Sequence, residues 1–439
     1  MHTTTAVEGE RHFEVGQLTR VEGEGSLDLR VARDGTVAAQ LRIFEAPRYF
    51  ERLVVGRTPD EVLDIVARIC GICPVAYQMS AVHAFESLFE VEIDPEVRRL
   101  RRLLYCGEWI ESHALHIFLL HAPDFLGYPS ALEMAKDHLE LVGRGLGIKK
   151  VGNRIVAIVG GRPIHPVSPR VGGFSRAPRA HELDELRAPL DAAIAEAQET
   201  VALVATLETP PSDREPRLVS LVHPSEYPMN DGRITSSDGI DLAPADWRDA
   251  FHEEQVPWSH ALQAHAADGV PYLLGPTARV SLAADQLHPI AGAALAATGI
   301  SPLELRRNVF RSIVARSVEL LHALAEARDI VADYHPPVLA CAPWQARAGI
   351  AAWATEAPRG LLFHRYRVDP SGKVRQAQIV PPTSQNQAAI EHDLALFAPE
   401  VLELPHDEAT RRLEQLIRSY DPCISCATHF LRLRIERDR

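Results

Sequence analysis

Cysteine is scarce here, with only six in 439 residues. That is too few for a disulfide framework in a chain of this size. Four of them form two C-x-x-C pairs, Cys70/Cys73 and Cys423/Cys426, which turns the expectation toward metal or redox chemistry; Cys106 and Cys341 belong to no motif. Basic runs are absent and the formal net charge is −13, which argues against nucleic acid or an anionic membrane surface as the main partner. Long apolar runs are absent too. The opening MHTTTAVEGERHFEVG has no apolar core of signal-peptide length, and no later stretch reaches the uninterrupted length of a membrane span. The expectation is a soluble, acidic, cytoplasmic protein. What is present, 46% hydrophobic and 24% charged residues, suits a globular chain with a sizeable core, in one large domain or two moderate ones.

Residues 26 to 45 read as two strands joined at Asp34-Gly35, a dipeptide that tolerates the positive φ of a tight hairpin. After Thr58-Pro59 the apolar spacing becomes helical and runs to Cys70. Pro74 can open a second helix, so Cys70-Gly-Ile-Cys73 falls in the turn between helices, where both sulfurs can face one point. Helical patterns are expected over 95 to 121, 131 to 145, 182 to 207, 302 to 334 and 408 to 419. Residues 361 to 380 suggest a hairpin turning at Asp369-Pro-Ser-Gly372, and the Pro- and Gly-rich stretch near 209 to 240 reads as surface loop. No internal repeat or low-complexity segment is visible. The expected architecture is α+β, predominantly α-helical.

The two cysteine pairs lie at opposite ends of the chain, far beyond the spacing of a compact zinc ribbon, so the fold must bring them together. Spacing alone leaves two buried turns, or one structural zinc, as open readings. The surroundings weigh more. Arg68-Ile-Cys70-Gly-Ile-Cys73-Pro, followed near the other end by Asp421-Pro-Cys423-Ile-Ser-Cys426-Ala-Thr-His429, resembles the paired signatures of [NiFe] hydrogenase large subunits. Thr19-Arg-Val-Glu22-Gly, Phe50-Glu51, Ser112-His-Ala-Leu-His116, Ala357-Pro-Arg359-Gly and Val380-Pro-Pro-Thr383 match in order, so the resemblance covers essentially the whole chain.

That resemblance implies the hydrogenase large-subunit fold over residues 1–439 as one domain, with long central helices, an N-terminal β unit and peripheral hairpins. It implies a nickel–iron centre with Cys70 and Cys423 as terminal nickel ligands. Cys73 and Cys426 would bridge to an iron carrying carbonyl and cyanide. Soft thiolates suit nickel, and a bound metal keeps them deprotonated. Heterolytic cleavage of dihydrogen also needs a base, for which a terminal thiolate or the Arg359 guanidinium qualifies. By the same resemblance Glu22 relays the proton from Cys423, and Asp421 holds Arg359 through a charge-assisted bond. Without the family context, Glu22 and Asp421 would pass as ordinary turn residues. Thr383 and the backbone around Pro382 would hydrogen-bond an iron-bound cyanide. Glu51, His429 and a backbone carbonyl near Gln378 would hold a second, hard cation, magnesium or iron. His113 and His116 share a helix face, but helix histidines are more often satisfied interior groups, so neither is assigned a ligand role.

Tyr77 stands where many family members have His, and Ser112 where membrane-bound uptake enzymes have Asp. Both lean toward the cytoplasmic, cofactor-coupled branch, and CPVAYQM resembles the NADP-linked, sulfhydrogenase-like group. Family members are usually cut after the residue matching His429 by a dedicated protease once nickel-insertion factors have acted. Residues 430–439, FLRLRIERDR, are therefore either a removable extension or a tail that stays. Cys106 and Cys341 are too few for a Cys₄ iron–sulfur cluster. A partner must therefore carry the clusters, and the resemblance implies that it is an iron–sulfur hydrogenase small subunit, with further iron–sulfur and flavin subunits passing electrons to or from NADP or NAD. The alternatives are a coenzyme F420-linked hydrogenase, a complex I-like electron-transfer scaffold, which should lack the four cysteines, and a structural zinc protein.

Overall fold

The computed structural model describes residues 5–7 and 10–428. It opens with an antiparallel sheet in sequential order, Thr5–Val7, Glu10–Val15, Gly25–Val31 and Val37–Ile43. The expected hairpin forms its second half. Its turn closes where the Asp34 carboxylate accepts the Thr36 N–H at 2.9 Å and Gly35 takes a φ of 86°. The first two strands were not anticipated.

The centre is helical. Pro74–Phe89, Pro95–Ala114, Leu139–Gly160, Arg187–Ala205 and Ser312–Ala332 pack around the main hydrophobic core, and all four cysteines of the two pairs border it. Instead of one helix over 131 to 145 there is a short turn, Ala131–Met134, followed by a long helix, Leu139–Gly160. Gly145 and Gly152 within the long helix are contact points. A Cβ on Gly152 would lie 2.5 Å from the Gly107 carbonyl oxygen, and one on Gly145 would lie 2.4 Å from Phe118 Cβ. Glycine there lets two helix backbones approach side by side.

The pattern over 302 to 334 breaks at Asn308, between Pro302–Arg307 and Ser312–Ala332. The Asn308 side chain accepts the Phe310 N–H at 2.9 Å and donates to the Pro210 carbonyl at 3.0 Å, local bonds that compete with the helix. The segment over 182 to 207 likewise divides into Ala180–Asp184 and Arg187–Ala205. The pattern over 95 to 121 is helical throughout, but its last part, Leu115–His121, is a π-helix.

The hairpin expected over 361 to 380 forms from Gly360–Val368 and Val374–Val380, and Gly349–Ala357 pairs with it as a third strand. Pro382–Val401 was missed as a helix. Its buried face carries Gln385, Asn386 and Gln387, whose amides are engaged by neighbours, so no apolar period marks it. With His406–Ser419 it packs beneath the N-terminal sheet in a second core. Among the described residues no helix is long and apolar enough to cross a membrane.

Candidate metal centre

Thr58 caps Pro59–Val66 in a reciprocal box with Glu61, and the chain tightens through Ala67–Ile69 before extending at Cys70. The Cys70 sulfur accepts the N–H groups of Ile72 and Cys73, both at 3.3 Å. Pro74 then opens the next helix. Its orphan N–H groups on Val75 and Ala76 are taken by the Glu108 carboxylate at 2.6 and 3.1 Å. Glu108 is fully buried, and burial pushes its carboxyl well above the usual range. At the other end Asp421 adopts a φ of 52°, and Cys423 leads into the single turn Ile424–Ala427.

The long-separated pairs meet. Sulfur to sulfur, Cys70 lies 3.6 Å from Cys423, Cys73 lies 3.8 Å from Cys426, and all four ligand atoms fall within 4.8 Å of one another. Arg48 ties the two motifs together, donating to the Ile69 carbonyl at 2.7 Å and also to the Ser425 carbonyl. Hydrogen bonds from Cys423, Cys426 and Cys73 hold the Cys70 thiol well below its ordinary range, while burial raises Cys423. Four convergent thiols, one disposed to ionise, are a donor set for soft metal ions.

The surrounding polar groups converge on the same point. Glu22 Oε2 lies 3.1 Å from the Cys423 sulfur and accepts the Ser425 N–H at 3.0 Å. Thr383 Oγ accepts the Cys423 N–H at 2.9 Å, and Pro382 is the first residue of the helix that carries it. Arg359 donates from Nε to the Asp421 carbonyl at 2.8 Å and from Nη2 to its carboxylate at 3.0 Å. Arg316 reaches the other Asp421 oxygen at 3.3 Å. Burial alone would lower the Arg359 pKa, but Asp421 and the neighbouring sulfurs outweigh it and raise it well above the ordinary value. Its Nη1 is buried with no hydrogen-bond partner among the described residues.

Glu51 and Gln378 lie together in a different place, lining a cavity of about 400 Å³ with Glu253. Glu51 accepts the Ile379 N–H at 2.8 Å, and the Gln378 side chain donates to Glu253 at 2.9 Å. His429 and the segment 430–439 lie outside the described residues. His116 donates to the Arg418 carbonyl at 2.8 Å, and His113 lies 3.1 Å from the Glu319 carboxylate, with its pKa lowered to about 4 chiefly by burial. Both are interior groups, as expected. Tyr77 and Ser112 are buried, and their hydroxyls have no partner among the described residues. Arg48 and Glu108 escaped the sequence reading because their partners are backbone groups, which no side-chain motif advertises.

Comparison with known proteins bears on the same residues. A family model described as nickel-dependent hydrogenase matches residues 48–143 and 266–429. The alpha subunit of sulfhydrogenase 2 from Pyrococcus furiosus is 33% identical over 425 residues, spanning 96% of this chain and 100% of that protein. The beta subunit of the NAD-reducing hydrogenase HoxS from Cupriavidus necator is 26% identical over 466 residues, spanning 96% of this chain and 95% of that one. Among solved structures, an NAD⁺-reducing [NiFe]-hydrogenase in its H₂-reduced state superposes with a TM-score of 0.88 at 27% identity, covering 97% of this chain and 100% of the other. The matched segments contain both cysteine pairs that the fold draws into one buried cluster, and the chain thus belongs to the nickel-dependent hydrogenases, as a [NiFe] hydrogenase large subunit.

Proposed function

We propose that these four cysteines would hold a nickel–iron centre, Cys70 and Cys423 as ligands to nickel alone and Cys73 and Cys426 as ligands shared with an iron that would bear carbonyl and cyanide. The observation that carries this reading is the convergence of four buried sulfurs, with Glu22 Oε2 at 3.1 Å from only one of them, Cys423. Held by these four thiolates, a nickel–iron centre would supply a hydride acceptor for heterolytic cleavage of dihydrogen. The chain's own groups handle the proton. Cys423 Sγ takes it, Glu22 Oε2 receives it and passes it outward, and the charged Arg359, fixed by Asp421, presents its unpaired Nη1 to the site. Thr383, at the start of its helix beside Pro382, supports the Cys423 backbone and, with the backbone around Pro382, would hydrogen-bond an iron-bound cyanide. Glu51 and the Gln378 carbonyl would hold a hard cation, magnesium or iron, at their separate cavity, with His429, outside the described residues, as the further ligand that the family resemblance implies.

The electron acceptor in this reading is NADP(H) or NAD(H), reached through an iron–sulfur small subunit and flavin- and iron–sulfur-bearing partners in the cytoplasm. The likeness to proteins named as NAD-reducing hydrogenases supports it. In this reading the chain acts as one domain, and residues 430–439 are either an extension that a protease removes after nickel insertion or a tail that stays, which the intact mass of the native subunit distinguishes. The test is infrared spectroscopy with metal analysis on the native complex, followed by hydrogen-driven reduction of NADP⁺, NAD⁺ and coenzyme F420. Carbonyl and cyanide bands with nickel and iron, and reduction of a pyridine nucleotide, are expected. Zinc alone, or reduction of F420 only, would reject the metal assignment or the acceptor respectively.

A further inference from the structure

Arg359 sits at the tip of a tight hairpin. Ala357 pairs with Gly360, leaving Pro358 and Arg359 as the connecting residues. Such tips normally lie in water, whereas this one is buried, and its carbonyl groups need donors from the protein. One side chain supplies two of them. Arg279, fully buried, donates from Nη1 to the Ala357 carbonyl at 3.0 Å and from Nη2 to the Pro358 carbonyl at 2.9 Å. Its guanidinium is itself fixed on three sides. Glu319 receives Nε and Nη2, both at 2.7 Å, Glu356 receives Nη1 at 2.7 Å, and the Trp109 ring lies 4.3 Å from Cζ.

The backbone beside it is packed as closely. Gly275, at a φ of 94°, would place a Cβ 2.8 Å from the Arg359 carbonyl oxygen, so the loop ahead of Pro276–Ala283 lies directly on the hairpin tip. The helix Ser312–Ala332 carries Glu319, which orients Arg279, and one turn earlier Arg316, which holds Asp421. That one helix therefore supports Arg359 from both ends, its backbone through Arg279 and its guanidinium through Asp421.

We propose that Arg279 is a positioning residue for the reaction: by gripping the carbonyls of Ala357 and Pro358 it sets where the Arg359 guanidinium stands over the four-sulfur site. The inference rests on the reading of Arg359 given above. A misplacement of about 1 Å at a reacting group can lower a rate about 100-fold. Lysine at this position keeps a charge but cannot bridge two carbonyls and two carboxylates at once.

The test is Arg279→Lys in the native complex. Nickel and iron content should stay at the wild-type level while hydrogen turnover falls about 100-fold. Amide hydrogen exchange should rise in the peptide holding residues 357–360 and stay unchanged in the helix Leu139–Gly160, which carries no contact to Arg279 among the described residues. In an Arg359→Lys background the same change should add no further loss, because both act through one group. Multiplying losses, or unaltered exchange at the hairpin tip, would overturn the inference. Should Arg279→Lys fail to fold, Glu356→Gln loosens the same grip while keeping an acceptor for the Leu221 N–H; wild-type turnover and exchange in that variant would equally overturn it. Full turnover in Arg359→Lys alone would instead reject the reading of Arg359, whereas an impaired Arg359→Lys beside a normal Arg279→Lys rejects only the role of Arg279.

Discussion

Glu22 and Cys423, separated by 401 residues, are joined both through backbone and through side chain. They form an isolated parallel bridge in which the Glu22 carbonyl accepts the Ile424 N–H at 2.9 Å. The Glu22 carboxylate meets the sulfur at 3.1 Å. The backbone contact places the carboxylate independently of its charge, which lets position and proton transfer be separated by substitution.

Glu22→Gln keeps the backbone bridge and an oxygen for the Ser425 N–H but cannot exchange a proton. Hydrogen turnover and isotope exchange between dihydrogen and water should fall by about 10²–10⁴, the usual worth of a positioned acid–base group. Metal content should be unchanged. Wild-type exchange in this variant would remove Glu22 from the proton route.

Cys423→Ser replaces a buried sulfur by a hydroxyl that stays protonated near neutral pH and is a poor partner for nickel. Turnover should be lost, with nickel below wild-type occupancy by metal analysis. Cys341→Ser is the control: this half-buried thiol donates to the Val171 carbonyl at 3.3 Å and lies 3.8 Å from the Ala342 carbonyl, outside the cluster, and its loss should leave metals and turnover intact. A nickel-replete, active Cys423→Ser protein would rule out its assignment as a terminal ligand.

The cysteine pairs were legible from residue type and spacing alone, whereas Glu22, Arg359 and Asp421 were legible only through the family resemblance of the motifs that carry them. Arg48, Glu108 and Arg279 were legible in neither way. Each binds backbone carbonyl or N–H groups of a segment remote in the chain, and backbone groups have no sequence identity to pair with. The same holds for secondary structure. The capped start at Thr58 and the turn at Asp369–Gly372 could be read locally. By contrast, Leu139–Gly160 is a helix because its glycines fit a neighbour the local pattern does not contain.

That packing gives a two-sided prediction. Gly152→Ala gains helix propensity of about 1 kcal/mol. Its Cβ, however, would meet the Gly107 oxygen at 2.5 Å and the Glu111 nitrogen at 2.7 Å, backbone atoms that cannot swing away. The strain, about 1–3 kcal/mol or more for overpacking, should win and lower the urea midpoint. Gly143 lies in the same helix with nothing within 4 Å of an added Cβ, so Gly143→Ala should raise the midpoint by the equivalent of about 0.5–1 kcal/mol. Equal effects at the two positions would refute the close-packing account.

The last prediction concerns acid. His83 stacks on Trp353, and burial lowers its pKa from 6.5 to about 4, with Arg101 adding to the effect and Glu86 opposing it. The folded protein holds this ring neutral while the unfolded chain protonates it from 6.5 downward. Its contribution to stability is therefore complete above 6.5 and drains away as pH falls toward about 4. Glu111 and Glu356 act the other way. Burial raises both from 4.5 to about 7, so their contribution is complete below 4.5 and fades as pH rises through about 7. Between pH 4.5 and 6.5 the two kinds of group oppose each other, and the wild-type midpoint alone cannot isolate the histidine. His83→Gln removes one side of the balance. The stability gap between wild type and variant, read from urea midpoints at a series of pH values, should be widest above 6.5 and should narrow steadily toward about 4. A gap that stays constant over that range would mean that His83 takes up its proton equally in the folded and unfolded chains, against the burial seen around its ring.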